Sequence, residues 1–244
     1  MRGVAGNAAR TTAWGTKPWH PAIVALVLLA GCAKHPLPTY PIMGEARSLE
    51  LIAQRNCEIR SVQGQASITL EDLQRQSITL DGVFFVERPN KLRVRAWKLG
   101  QAVFDLTTTG EGSWQYVPRE EARSGTGITR DVTQRMIDLL TDGPPPGDTT
   151  STGKAIEHVS GSERRIYDRD TLTLGKFIVT DASGQEQFSL TFDDYRVVAD
   201  RVWPMRLRAV SERGVVEIRF SEIEINGELP PAAFKPPARA ERLP

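Results

Sequence analysis

Apolar residues recur along this chain with two different periods, and the change from one to the other organises it. Between Glu45 and Ile59, the residues Leu49, Ile52, Ala53 and Ile59 return at helical spacing, with Asn56 polar but in phase, so the pattern predicts an amphipathic helix with one packed face. After Arg60 the period falls to two. Alternation runs through Val62 to Leu70, Gln76 to Glu87, Leu92 to Leu99, Ala102 to Thr108 and Ser113 to Val117, with Gly82 as an expected kink or bulge. These runs are divided by Asp72-Leu73-Gln74, Pro89-Asn90, Leu99-Gly100 and Gly110-Glu111-Gly112, all turn-forming, so consecutive strands are expected to pair as an antiparallel meander.

From Asp131 to Leu140 the helical stripe returns with Val132, Met136, Leu139 and Leu140, and Gly143-Pro144-Pro145-Pro146-Gly147 ends it. The polar stretch from Gly143 to Lys154 is expected to be a loop. Alternation then resumes through Arg165 to Tyr167, Leu172 to Val179, Gln187 to Phe192, Tyr195 to Val198, Val202 to Val210 and Val215 to Ile225, with hairpin turns at Asp181-Ala182-Ser183-Gly184 and Glu212-Arg213-Gly214. The proline-rich end from Leu229 to Pro244 should be irregular. About eleven strands and two helices, without a strand-helix-strand rhythm, predict a mainly β fold: an unclosed antiparallel β-barrel covered by an α-helical lid.

The amino-terminal segment stands apart. Arg2, Arg10 and Lys17 precede the apolar run Ala22 to Leu29, which is too short to span a bilayer as a helix, and Leu29-Ala30-Gly31-Cys32 follows. This arrangement resembles the lipobox of bacterial lipoproteins. The resemblance implies that residues 1–31 are a removable signal peptide and that Cys32 carries a diacylglyceryl group and a further, palmitate-like acyl chain on its amine. Two or more chains make such anchoring stable. Ala33 in place of Asp after the cysteine implies, by the same analogy, sorting to the periplasmic face of the outer membrane. Residues 32–44, with Pro36, Pro38 and Pro41, read as an extended tether.

What remains is long enough for one domain with a sizeable core, assigned to residues 45–237 with a tail at 238–244. The formal net charge of +1 turns slightly negative once the basic leader is gone, too balanced to suggest a nucleic-acid partner. With Cys32 committed to lipid, Cys57 lacks an intrachain partner. It reads as a small, partly buried helix residue or as an intermolecular cross-link site.

The strand and helix order resembles the unclosed β-barrel of the periplasmic lipoprotein carrier LolA and the outer-membrane receptor LolB. The likeness is carried by Val62-Gln63-Gly64-Gln65-Ala66-Ser67-Ile68 opening the sheet, by Phe85-Val86-Glu87-Arg88-Pro89-Asn90-Lys91-Leu92-Arg93-Val94 as strand, proline turn and strand, and by Trp203-Pro204-Met205-Arg206-Leu207 and Leu229-Pro230-Pro231-Ala232-Ala233-Phe234 near the end. It implies a monomeric envelope protein that holds lipid acyl chains or lipoproteins in a hydrophobic cavity for transport or insertion, with a periplasmic carrier protein as a further partner. The expected cavity residues are Ile68, Leu70, Ile78, Leu80, Phe84, Leu92, Val94, Phe104, Leu106 and Trp114, with Val132, Met136 and Leu140 from the lid. Leu73, in the first strand turn, is the nearest counterpart to the family's membrane-inserting loop; its other reading is a turn residue folded back on the sheet. The same alternation would equally line a filled core. That gives the alternative function: a structural or interaction lipoprotein, or a sensor of envelope state.

No catalytic constellation accompanies the pattern. His20 lies in the leader and His35 in the tether, leaving His158 as the one histidine of the folded region. There is no Cys-x-x-Cys, phosphate-cradling glycine loop or nucleotide fingerprint, so neither enzyme nor cofactor or metal chemistry is expected. Asp193-Asp194 reads as an acidic turn. The pairs Arg164-Arg165 and Arg93, Arg95 read as solvated strand faces, with a lipid phosphate as the other reading.

Overall fold

A computed structural model of the chain describes residues 36–118, 135, 138–212 and 214–243. The leader, Cys32, Val132 and Met136 lie outside them. The chain divides into two units, Met1–Lys34 and His35–Pro244, and the second holds the sheet and core described below.

Residues 36–44 are without regular structure and lead into helix α1 (Glu45–Cys57). Glu45 in its first turn and Arg55 in its last both suit the helix dipole. The buried stripe is the predicted one: Ile52 and the following Ile59 are buried, and the in-phase Asn56 donates its Nδ2 to Asp142 O at 2.9 Å. Cys57 is exposed rather than partly buried, because it falls on the helix's last residue, off the packed stripe.

Thirteen strands follow: β1 (Ser61–Glu71), β2 (Ser77–Glu87), β3 (Lys91–Lys98), β4 (Gln101–Thr109), β5 (Gly112–Tyr116), β6 (Asp148–Thr152), β7 (Ala155–Ser160), β8 (Glu163–Asp168), β9 (Leu174–Thr180), β10 (Glu186–Val198), β11 (Arg201–Ser211), β12 (Gly214–Ile225) and β13 (Glu241–Arg242). They form one antiparallel sheet in the order β13-β5-β4-β3-β2-β1-β12-β11-β10-β9-β8-β7-β6. Two meanders are thus joined where β1 pairs with β12, and the outer strands β13 and β6 leave the sheet unclosed.

One face of this sheet is the core. The register aligns Val86, Phe84, Gly82, Leu80 and Ile78 of β2 with Val62, Gly64, Ala66, Ile68 and Leu70 of β1. On the far side of β1, Ala66, Ile68 and Leu70 align with Phe220, Ile218 and Val216 of β12. Gly64 has a specific task here. A Cβ on it would lie 3.1 Å from the Phe220 ring, and its absence lets Phe84 and Phe220, on either side of β1, meet edge-on with centroids 5.5 Å apart. Trp203 of β11 continues the stack at 6.5 Å from Phe220. Gly82 is not the expected bulge. It stays in register with Ala66 and Ala96, and it is small because a Cβ would come within 2.5 Å of Ile68 Cδ1.

Three further expectations change. Asp148–Thr152 is strand β6 rather than loop, and β7 is a strand that the alternation does not announce. Asp193-Asp194 is not a turn but lies inside β10: Asp193 pairs in register with Arg206, and Asp194 takes a left-handed φ of 50° as a local irregularity, its carboxylate 2.7 Å from Arg196. The chain end does turn irregularly over residues 228–240, then adds β13 to the edge of β5.

Candidate functional site

The concave face is the candidate site, and its two ends differ. At the end where α1 crosses, Val62, Phe84, Val86, Leu92, Trp203 and Ile225 are buried. At the other end, where the β1-β2, β3-β4 and β11-β12 turns lie, the inward row Ile78, Leu70, Val216 and Ala209 is aligned across four strands, yet each of these residues is only half-buried. In register the row continues into Leu190 and Phe177, which are buried, while Phe188 and Val179, paired across β10 and β9 one pleat nearer the rim, are half-buried. The apolar lining therefore continues to the rim, where the described residues leave it partly exposed.

Of the expected cavity residues, Ile68, Leu80, Phe84, Leu92, Val94, Phe104 and Leu106 are buried in one contiguous cluster, with Leu70 and Ile78 packed at its margin. Trp114 is misassigned. It sits opposite Thr107, on the convex face, where Arg242 of β13 lies over its ring at 5.9 Å. Leu73 is not folded back: its side chain is 70% exposed in the β1-β2 turn. Leu99, in the β3-β4 turn at the same end and not singled out by the sequence, is 94% exposed with a φ of 50°.

Leu139, Leu140 and Thr141, in the helical stretch 138–141, are buried, and residues 142–147 then cross the polar side of the concave face. Close approach to α1 is enforced at Gly143, where a Cβ would fall 2.5 Å from that of Ala53. The cover is held mostly through carbonyls of its own backbone. Arg165 donates to Gly143 O at 3.4 Å, Ser160 to Pro146 O at 2.8 Å, and the His158 Nε2 to Pro145 O at 2.8 Å, while the Thr149 hydroxyl donates to Nδ1 at 2.9 Å. Arg135 adds an ion pair to Glu163. His158 is 1% exposed, and burial pushes its imidazole below the usual value, the Pro145 bond opposing this and the Arg165 charge adding to it. Burial likewise holds the Asp142 carboxyl above its ordinary value in spite of Arg88 at 2.7 Å.

Two arginines expected on solvated faces are not solvated. Arg165 points into the concave face under the cover and is buried. Arg93 is on the convex face but forms a fork with Asp105, Nε to Oδ1 at 2.9 Å and Nη2 to Oδ2 at 2.7 Å, and its Nη1 holds the Ala232 and Ala233 carbonyls. Arg95 and Arg164 remain half-exposed or nearly so, as expected. Among the described residues there is no cluster of His, Cys, Asp or Glu that could hold a metal ion, and no helix long and apolar enough to cross a membrane.

No protein-family model matches the chain, and no curated protein resembles it in sequence. Solved structures do match in fold. A putative outer membrane lipoprotein-sorting protein domain from Vibrio parahaemolyticus superposes with a TM-score of 0.55 at 12% identity, covering 79% of this chain and 97% of that one. A LolA superfamily protein from Nitrosomonas europaea gives 0.56 at 13% identity, over 77% of this chain and 97% of that one. A DUF1329 family protein from Desulfovibrio piger gives 0.56 at 11%, over 77% and 94%. The chain thus has the LolA/LolB type of fold, an unclosed antiparallel barrel with helical cover.

Proposed function

We propose that this protein is a lipid-anchored lipoprotein of the cell envelope, held at the outer membrane through Cys32, which takes acyl chains of lipids or lipoproteins into the concave face for transport or insertion. The reading rests on the half-buried inward residues Ile78, Leu70 and Val216 and, one pleat nearer the rim, Phe188 and Val179, which lead from the buried core to a rim where the described residues leave them partly exposed. It is supported by the fold, which this chain shares with a lipoprotein-sorting domain and a LolA superfamily protein. Leu73, joined by Leu99, forms an apolar lip at the same rim and inserts among lipid chains during transfer. Ile68, Leu80, Phe84, Leu92, Val94, Phe104 and Leu106 form the wall behind, and Val132, Met136 and Leu140 belong to the lid. The task is binding and release, without catalysis.

Apolar burial suits that task, because it is non-directional and contributes about 0.8 kcal/mol per methylene. About ten methylenes withdrawn from water supply the ~8 kcal/mol of a micromolar complex. The test is displacement of a fluorescent fatty acid from the 33–244 chain, with native mass spectrometry for co-purified acyl species. Micromolar binding is expected, weakened at least tenfold by Val216→Trp or Ile78→Trp with unfolding temperature preserved. Absence of both bound acyl species and displacement would defeat the reading. A filled-core interaction lipoprotein would then stand, and the aromatic stack Phe84, Phe220 and Trp203 at the closed end is the observation that favours it.

A further inference from the structure

The convex face carries a second concavity, independent of the first, at the end of the strands away from Leu73 and Leu99. It is an open groove of about 920 Å³ between the lower ends of β1, β2 and β3 and the chain segment after β12. Its geometry is fixed by backbone bonds. Asn226, at a φ of 61°, accepts from Arg60 N–H at 2.7 Å through Oδ1 and donates Nδ2 to Glu58 O at 2.9 Å, and the Ser61 hydroxyl donates to Gly227 O at 2.9 Å. The far wall, Leu229 to Lys235, is apolar at Leu229, Pro230, Pro231 and Phe234, and the Arg93 bonds to Ala232 and Ala233 pin it to the sheet.

Charge sets the kind of ligand. Four cations, Arg60, Arg88, Lys91 and Lys235, line the groove against one carboxylate, Glu87. Arg88 is spent on Asp142 at 2.7 Å and Lys91 on Glu87 at 3.1 Å. Arg60 and Lys235 are exposed and have no carboxylate partner among the described residues. A groove with two free cations beside an apolar shelf complements an anion attached to hydrocarbon. Arg60 in particular offers a fork of donors matched to phosphoryl oxygens. The chain also enters the domain at this end, where Tyr40 N–H donates to Asp170 O at 2.8 Å, so this rim is the one from which the tether leaves.

We propose that this groove binds the phosphoryl head group of an anionic phospholipid, seating the tether end of the domain on the membrane surface in a resting orientation, with the leucine lip at the other end turned away from that surface until transfer. Arg60 and Lys235 grip the phosphate, and Leu229 and Phe234 face the glycerol and upper acyl carbons. The site does not depend on the concave face binding acyl chains.

The test is flotation of the 33–244 chain with vesicles of phosphatidylcholine containing phosphatidylglycerol, against vesicles of phosphatidylcholine alone. Binding is expected only to the first. The Arg60→Gln, Lys235→Gln double variant, whose changes are on exposed side chains, should lose about 25-fold in affinity, from about fivefold per charge near an anionic surface. An Arg75→Gln, Lys98→Gln variant, which removes the same charge at the opposite rim, should bind as the parent does. Equal loss in both variants would reduce the effect to bulk charge and overturn the proposal. So would no preference for the anionic vesicles, saturable binding of soluble glycerol phosphate with no response to vesicles, or capture of an acidic peptide such as oligoglutamate in place of lipid.

Discussion

Truncating one partner of the Arg93–Asp105 fork tests how the convex face is held. The side chains are 12% and 3% exposed, and two short parallel bonds join them. Asp105 also accepts from the Thr107 hydroxyl at 3.3 Å, and Arg95 stands 3.7 Å away, too far to replace the fork. Arg93→Ala therefore leaves a buried carboxylate with one neutral donor, and Asp105→Ala leaves a nearly buried guanidinium with only the Ala232 and Ala233 carbonyls. Removing one member of a buried pair costs about 3–5 kcal/mol, against about 0–1 for an exposed pair. For a domain of this size each kcal/mol lowers the melting temperature by about 2–4 °C, so a fall of about 6–20 °C is expected for either single variant. Circular dichroism melts of the 33–244 chain measure it. The Arg93→Met, Asp105→Leu double variant should recover much of the loss, since apolar replacements leave no stranded charge. In Arg93→Ala, trypsin should also cut sooner at Arg239, because the segment it occupies loses its two carbonyl anchors. Single variants that melt within about 2 °C of the parent would refute the argument.

Phe84→Ala removes one end of the edge-to-face stack and should cost about 3–5 kcal/mol, read as a loss in urea midpoint without loss of the sheet's far-ultraviolet signal. Leu73→Glu with Leu99→Glu should leave stability within about 0.5 kcal/mol, since both side chains are in solvent, yet slow acyl transfer between vesicles; unchanged transfer would remove the lip from the mechanism. His158 binds its proton more weakly folded than unfolded, so its contribution is complete above the unfolded value near 6.5. It is lost as pH falls from there toward the lowered folded value, and His158→Gln should flatten that acid limb of the stability profile. Asp181 works in the same direction at lower pH: its bonds to Ser183, Gln185 and Gln187 hold it down to about 2. The β9-β10 turn should therefore keep its hydrogen-exchange protection until the pH drops below about 4, and Asp181→Asn should lose that dependence.

The elements legible in the sequence are those whose two faces differ in polarity. Helix α1 and strands β1 to β3 keep their period cleanly because one side meets the core and the other is more open to water. Strand β6 is hidden because it is an edge strand polar on both faces. Its inward Thr149 bonds to His158 rather than to hydrocarbon, so no period-two apolar signal exists. Trp114 misleads for another reason. In a strand of five residues a large aromatic looks inward by default, and its actual face is set by register with Thr107 and by cover from Arg242, more than a hundred residues later. The Arg93–Asp105 fork is invisible likewise, since strand pairing brings the two together only after β3 and β4 have docked.

Why the concave face should open at all follows from how its cover is attached. On the closed side, burial of Ile52 and Ile59 fastens α1 to the apolar core, and detaching it would expose that core to water. Residues 142–147 are fastened differently. Their fixed points are single bonds from Asn56, His158, Ser160 and Arg165 to carbonyls at Asp142, Pro145, Pro146 and Gly143, each contributing about 0.5–1.5 kcal/mol net, together with the partly exposed Arg88–Asp142 ion pair, which adds about 0–1 kcal/mol. The three consecutive prolines bring no N–H of their own to this strap, so lifting it frees carbonyls that water can satisfy and strands no donor of the proline run. A cover made this way separates from the sheet at a cost of a few kcal/mol. That is within what about five to eight entering methylenes return. On the proposed function, cargo burial and strap opening are thus matched in size, so that an acyl chain would both enter and leave without unfolding the sheet.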